Sequence, residues 1–102
     1  MPTLHIDLQE GFIGDPVVVR VNGEEVFRHE KLMTRPQLGL AKSVKVEVPE
    51  GRAEIEISMP TRKQKRVVET TLGADKYVGV SFDPEKKELT EPTVQDQLFG
   101  YV

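Results

Sequence analysis

Val44-Lys-Val-Glu-Val-Pro-Glu-Gly-Arg-Ala-Glu-Ile-Glu-Ile-Ser58 consists of two alternating runs joined by Pro49-Glu-Gly-Arg52. Successive side chains of an extended strand point to opposite faces, so strict alternation of apolar and charged residues marks strands with one dry and one wet face. With Pro49 to Arg52 as a loop, the stretch is predicted to fold as a β-hairpin in which Val48 faces Ala53, Val46 faces Ile55 and Val44 faces Ile57. The opposite face pairs Lys45 with Glu56 and sets Glu47 against Glu54, a like-charge pair costing up to about 1 kcal/mol and tolerable only in water. One face of this ribbon packs on a core, and the ribbon is expected to form an outer wall of the fold.

The same alternation extends in both directions. Leu4, Ile6 and Leu8 alternate with His5, Asp7 and Gln9, giving a first half-buried strand that ends in the Glu10–Pro16 loop. Val17 to Val21, the turn Asn22-Gly23 and Glu24 to Arg28 form a second predicted hairpin, because Asn-Gly accepts the positive φ angles of a type I′ turn. Its expected register sets Val19 against Val26, Val18 against Phe27 and Arg20 against Glu25, with apolar groups on both faces. Glu30 to Ser43 lacks alternation but holds Leu32, Met33, Leu38, Leu40 and Ala41, and reads as a packed connection crossing between two sheets. Val67–Leu72 and Lys76–Phe82 are two further strands joined by Gly73-Ala-Asp75, with Val78, Val80 and Phe82 on one face. Asp83 to Glu88 is a polar turn leading to a short strand near Leu89. Pro92-Thr93 is read as the start of one helical turn, in which Thr93 caps and Val94 meets Leu98.

Seven or eight short strands with turn chemistry between them predict an all-β protein, an antiparallel immunoglobulin-like or transthyretin-like β-sandwich, as one domain over residues 1–102 with a tail at 92–102. Pro16-x-x-Val19-x-Val21-Asn22-Gly23-x-x-Val26, Thr34-Arg-Pro36, Val48-Pro-Glu-Gly51 and Ile55-x-Ile57 resemble small bacterial immunoglobulin-like and transthyretin-like sandwich modules, including the PEGA type. The resemblance covers about residues 16 to 58, with Met33-Thr34-Arg35-Pro36 standing where PEGA modules carry Gly-x-Thr-Pro. It implies an accessory or adhesive module without catalysis of its own, an implication drawn from fold alone.

Composition bounds the chemistry. The 102 residues support one modest core, and 37% apolar with 30% charged residues is ordinary globular composition. A net charge of −3 argues against a general nucleic-acid binder, which needs clustered Lys and Arg across its binding face. Without cysteine there is no disulfide, thiolate metal site or cysteine nucleophile. The N-terminus enters a strand without signal-peptide regions, and no apolar run approaches the roughly 20 residues of a membrane span, so a cytoplasmic protein is expected.

Candidate sites are few. Arg62-Lys-Gln-Lys-Arg66 places Arg62, Lys63, Lys65 and Arg66 at a strand tip, where they could grip an anion or simply keep an edge soluble. His5 with Asp7 on the exposed face of one strand supplies two metal ligands where a zinc site needs three or four, and His29 has only Glu30 beside it. Ser43, Ser58 and Ser81 lack the Gly-x-Ser-x-Gly elbow, there is no phosphate-binding glycine motif, and Glu54 and Glu56 are carboxylates sharing a wet face. Tyr77 is a lone candidate aromatic platform. Leu98, Phe99, Tyr101 and Val102 form an apolar tail that either packs home or docks on another chain. The expectation is therefore a non-catalytic interaction or accessory module with no cofactor or metal, whose partner is a protein, self or other, with homodimerisation through an edge strand or the tail. The alternative is an anion- or nucleic-acid-binding module using the 62–66 loop, and a small hydrolase or metal enzyme is the remaining class.

Overall fold

In the computed structural model, which describes residues 1–35, 37, 39–97 and 99, alternation has been converted into two four-stranded sheets that share one core. The strands are β1 (Thr3–Leu8), β2 (Ile13–Val21), β3 (Glu24–Met33), β4 (Lys42–Glu47), β5 (Gly51–Met59), β6 (Gln64–Leu72), β7 (Lys76–Val80), β8 (Phe82–Asp83), β9 (Glu88–Leu89) and β10 (Thr93–Gln95). The first sheet runs β10-β7-β1-β4 and the second β3-β2-β5-β6, with β8 and β9 forming a separate two-stranded ribbon. Among the described residues there is no α-helix, only a short 3-10 turn at Pro60–Arg62.

The sandwich arises because the dry faces of the two sheets have nowhere else to go. Leu4, Ile6 and Leu8 of β1, Val44 of β4 and Val78 and Val80 of β7 pack against Val17, Val19 and Val21 of β2, Ile55, Ile57 and Met59 of β5 and Leu72 of β6. Phe12, Leu32, Phe82 and Leu89 join the same cluster. Each such side chain contributes about 1.5–3 kcal/mol by leaving water, which is what sets the two sheets face to face.

The decisive stretch folds differently from its sequence reading. Val44, Val46, Val48, Ala53, Ile55 and Ile57 do face the core, but β4 and β5 are not partners. β4 pairs with β1, placing Val46 beside Leu4, Val44 beside Ile6 and Lys45 beside His5. β5 pairs with β2 and β6, placing Glu56 between Arg20 and Val67 and Glu54 beside Glu69. Pro49-Glu50 is thus a crossing between sheets, not a hairpin loop, and the expected Lys45–Glu56 and Glu47–Glu54 pairs do not form. Nor is the stretch an outer wall, since β5 is an interior strand of its sheet. Two runs on opposite sheets present the same alternation to one core as two runs in a single hairpin, so the pattern fixes faces without choosing partners. Local bonds help β5 to choose: Asn22 N donates to Glu54 O at 2.8 Å and Glu54 N to Asn22 Oδ1 at 2.9 Å.

The Asn22-Gly23 hairpin forms as expected, with φ of 52° and 82° at the two turn residues. Arg20 opposes Glu25, but a register shift then sets Val19 against Phe27 and Val18 against Arg28. Such a shift is a β-bulge, an extra residue on one strand that bends the edge. Val18 is 1% exposed yet lies outside the core cluster, so this hairpin buries apolar groups on both faces.

The first sheet is mixed, not antiparallel throughout, because β7 runs parallel to β1. Parallel neighbours require long crossovers, and the excursion through the second sheet supplies one. Connections from β1 to β2, β3 to β4, β4 to β5 and β6 to β7 all change sheets. Glu30–Ser43 is such a crossing, although β3 extends through Met33 before it begins. The expected helical turn at Pro92–Leu98 is also corrected, since Thr93–Gln95 pairs antiparallel with β7 along that strand's open edge. Close approach is tightest at Gly11, where φ is +87° and a Cβ would lie 1.7 Å from the Phe82 carbonyl oxygen.

Candidate functional site

Strand alternation and the Pro60–Arg62 turn divide the basic tip. The turn closes with Lys63 at φ 54°, its N–H donating to Pro60 O at 3.3 Å. Arg62 turns inward, its Nε 3.0 Å from Asp15 Oδ2 in an ion pair too poorly aligned for a hydrogen bond, and its guanidinium 4.9 Å from the Phe82 ring centroid. Arg66 points to the core side of β6, where Nε donates to Leu89 O and Nη1 to Glu91, each at 3.0 Å. Lys63 and Lys65 stay exposed, Lys65 on the outer face. The four cations therefore do not converge: two tie the tip to β2 and to the β8–β9 ribbon, and two stand in solvent.

Of the apolar tail, Leu98, Tyr101 and Val102 lie outside the described residues, and Phe99 is half-buried. The histidines are placed separately. His5 stacks on Tyr77 with ring centroids 4.3 Å apart, and its Nε2 is 3.7 Å from Asp75 Oδ2, whose other oxygen accepts from Thr3 N. Asp7, expected beside His5 on an exposed face, is only 6% exposed and accepts a 2.8 Å hydrogen bond from the Ser43 hydroxyl. The outer face of the first sheet is thus drier than alternation suggests, since Tyr77 and Ser43 cover what a lone strand would expose. His29 Nδ1 accepts from Lys31 N at 3.1 Å. Among the described residues no three His, Asp or Glu side chains gather as a metal-binding group, and no helix is long and apolar enough to cross a membrane.

Glu54 and Glu56 also have separate surroundings. Glu56 accepts from Arg20 at 2.9 Å, while Glu54 sits opposite Glu69, which Arg52 Nε engages at 2.6 Å. Glu25 is bonded by Arg28, and those hydrogen bonds hold its carboxyl below the ordinary glutamate range.

What sequence reasoning could not see is which strands end the sheets. β3 and β6 are the two edges of the second sheet. β3 carries three register irregularities against β2, whereas β6 keeps an unbroken register with β5 from Gly51↔Leu72 to Met59↔Gln64. Bulges blunt an edge, and a regular edge presents an ordered row of free N–H and C=O groups. The outer face of β6 carries Lys65, Val67, Glu69 and Thr71, with Val67 47% exposed.

The fold and these surfaces define a two-sheet β-sandwich whose distinctive features are an open regular edge and dispersed charge. Comparison of the chain with models of known protein families, with curated proteins and with solved structures gives no match.

Proposed function

We propose that this protein is a non-catalytic interaction module of the transthyretin-like sandwich type that self-associates through the free edge of β6. Strand order supports the transthyretin-like reading over the immunoglobulin-like one. Immunoglobulin sheets place the first strand beside the second, whereas here β1 lies between β4 and β7 and β2 between β3 and β5.

The observation that carries self-association is the symmetry of β6 about its exposed valine. An antiparallel two-fold pairing centred on Val67 sets Val67 against the partner's Val67 and Lys65 against the partner's Glu69, twice. Such an isologous contact closes on itself and would join two four-stranded sheets into one. The alternative, anion or nucleic-acid binding by Arg62, Lys63, Lys65 and Arg66, is weaker because Asp15 and Glu91 already engage the two arginines.

Sedimentation velocity over a wide concentration range tests this. The wild type is expected to dimerise, and Val67→Lys, which juxtaposes like charges without touching the core, to remain monomeric with unchanged thermal stability. Lys65→Glu weakens the dimer and Lys65→Glu with Glu69→Lys restores it. A chain ending before Leu98 keeps dimerising if β6 and not the tail carries the contact. A wild type that is monomeric throughout refutes the proposal.

A further inference from the structure

Five of the six arginines stand in ion pairs: Arg20 with Glu56, Arg28 with Glu25, Arg52 with Glu69, Arg62 with Asp15 and Arg66 with Glu91. Among the described residues Arg35 has no such carboxylate, and neither has Lys31 nor Lys42. These three exposed cations line one groove, with His29 beside them. They converge because the chain leaves β3 in one sheet and returns as β4 in the other. Lys31 then stands on one wall and Lys42 on the opposite wall, with Arg35 held in the crossing by its bridge to Leu40. Among the described residues Arg35 alone departs from the pairing of the other five arginines, and the chain's return places two unpaired lysines beside it in the one groove.

The groove also has an apolar continuation. Leu32, 2% exposed, and Ala41 also line it. Met33, 57% exposed, lines both this groove and a neighbouring cleft with Phe12 and Ile13. Ile13 is the cross-strand partner of Met33 and is itself 54% exposed, so two large apolar side chains stand together in solvent. The cleft also includes Glu10. The two clefts, joined at Met33, together offer cations, an apolar surface and one carboxylate.

We propose that this composite groove binds an extended acidic peptide segment of a partner protein, with its carboxylates on Lys31, Arg35 and Lys42 and an adjacent apolar side chain on the Ile13–Met33 surface. His29 supplies a further donor: its Nδ1 accepts from Lys31 N, so the neutral ring carries its proton on Nε2. The same bond occupies the Lys31 N–H, which leaves the side chains as the donors facing the groove at this position. Charge complementarity selects an acidic ligand. The apolar surface and the Glu10 carboxylate select a peptide over a nucleic acid, which would bring further phosphates toward that acid and needs stacking rings for its bases. The groove flanks β3, the edge opposite β6, and shares with the dimer only the non-catalytic reading, so either proposal can fail alone.

Fluorescence anisotropy with the full chain tests the groove, using a labelled short peptide of alternating Glu and Leu against peptides of alternating Gln and Leu or Glu and Ser, and a single-stranded oligonucleotide. The Glu-Leu peptide is expected to bind most tightly and to weaken with salt. Arg35→Glu with Lys42→Glu lowers its affinity at least about tenfold, Met33→Ser lowers it several-fold, and Lys86→Glu with Lys87→Glu, exposed cations of the turn before β9, leaves it unchanged. Backbone amide shifts fall on residues 29–35, 39–42 and 11–13 and report that the variants remain folded. Equal binding of the Gln-Leu peptide, tighter binding of the oligonucleotide, indifference to Arg35 and Lys42, or no binding of the Glu-Leu peptide overturns the proposal.

Discussion

Double-mutant cycles on Glu56 distinguish the crossing between sheets from the hairpin that its sequence suggests. Glu56 accepts a 2.9 Å hydrogen bond from Arg20 across β2 and β5, with side chains 22% and 37% exposed respectively. Lys45, its hairpin partner by sequence, lies opposite His5 in the other sheet, where it points outward from the far side of the molecule. Unit charges at about 4 Å attract by about 1 kcal/mol in water and by more where water is partly excluded. Holding both side chains in place offsets part of that gain, leaving an expected Arg20–Glu56 coupling of about 0.5–1 kcal/mol. For Lys45 and Glu56 the separation across the sandwich exceeds the screening length of about 8–10 Å, and the expected coupling is near zero. Urea unfolding of the wild type, Arg20→Met, Glu56→Gln and their double variant measures the first coupling, and Lys45→Met replaces Arg20→Met for the second. With a slope of about 1–1.5 kcal/mol per molar for a domain of this size, the coupling appears as a non-additive midpoint shift of about 0.5 M that shrinks in high salt. A Lys45–Glu56 coupling as large as that of Arg20–Glu56 would refute the crossing and restore the hairpin.

Gly11→Ala is expected to destabilise the protein by more than about 3 kcal/mol in thermal or urea unfolding, since it adds the 1–3 kcal/mol of a strained backbone to a clash with the Phe82 carbonyl; a loss below 1 kcal/mol would contradict the close approach of these two segments. Glu25 is expected to titrate below the ordinary glutamate range by carboxyl NMR, because Arg28 hydrogen bonds and charge favour its ionised form, and Arg28→Gln should raise its midpoint. A lowered folded value means that the contribution is present above the unfolded pKa and is lost as pH falls through the folded one, so Arg28→Gln removes that part of the acid dependence.

Strand existence was legible wherever alternation was long. Leu4, Ile6 and Leu8, the Asn22-Gly23 hairpin, and the buried Val78, Val80 and Phe82 all occupy the environments their spacing suggests. Thr93–Gln95 reads as a helical turn in the sequence because a proline followed by threonine also starts helices, and only the open edge of β7 makes an extended segment the better partner there. The candidate surfaces were less legible. Arg62 and Arg66 dominate the charge count along the chain, yet Asp15 and Glu91, remote in sequence, hold them. Lys31, Arg35 and Lys42 look dispersed along the chain, and the return from β3 to β4 gathers them into one groove.

By itself the sequence determined which side of the clearly alternating strands faces the core, because a period of two is a local property of extended backbone, and among the described residues twenty apolar side chains, from Leu4 to Leu89, are buried. It also determined the tight turn at Asn22-Gly23, whose positive φ angles need only local chemistry. Only the tertiary structure decided partners: that Val44 and Ile57 face one core from opposite sheets and not along a ladder, that β1 lies parallel to β7, and that β6 ends its sheet. Burial rewards a face regardless of which strand covers it. Pairing is settled by the competition of all strands for backbone hydrogen bonds, a quantity that no single stretch of sequence contains.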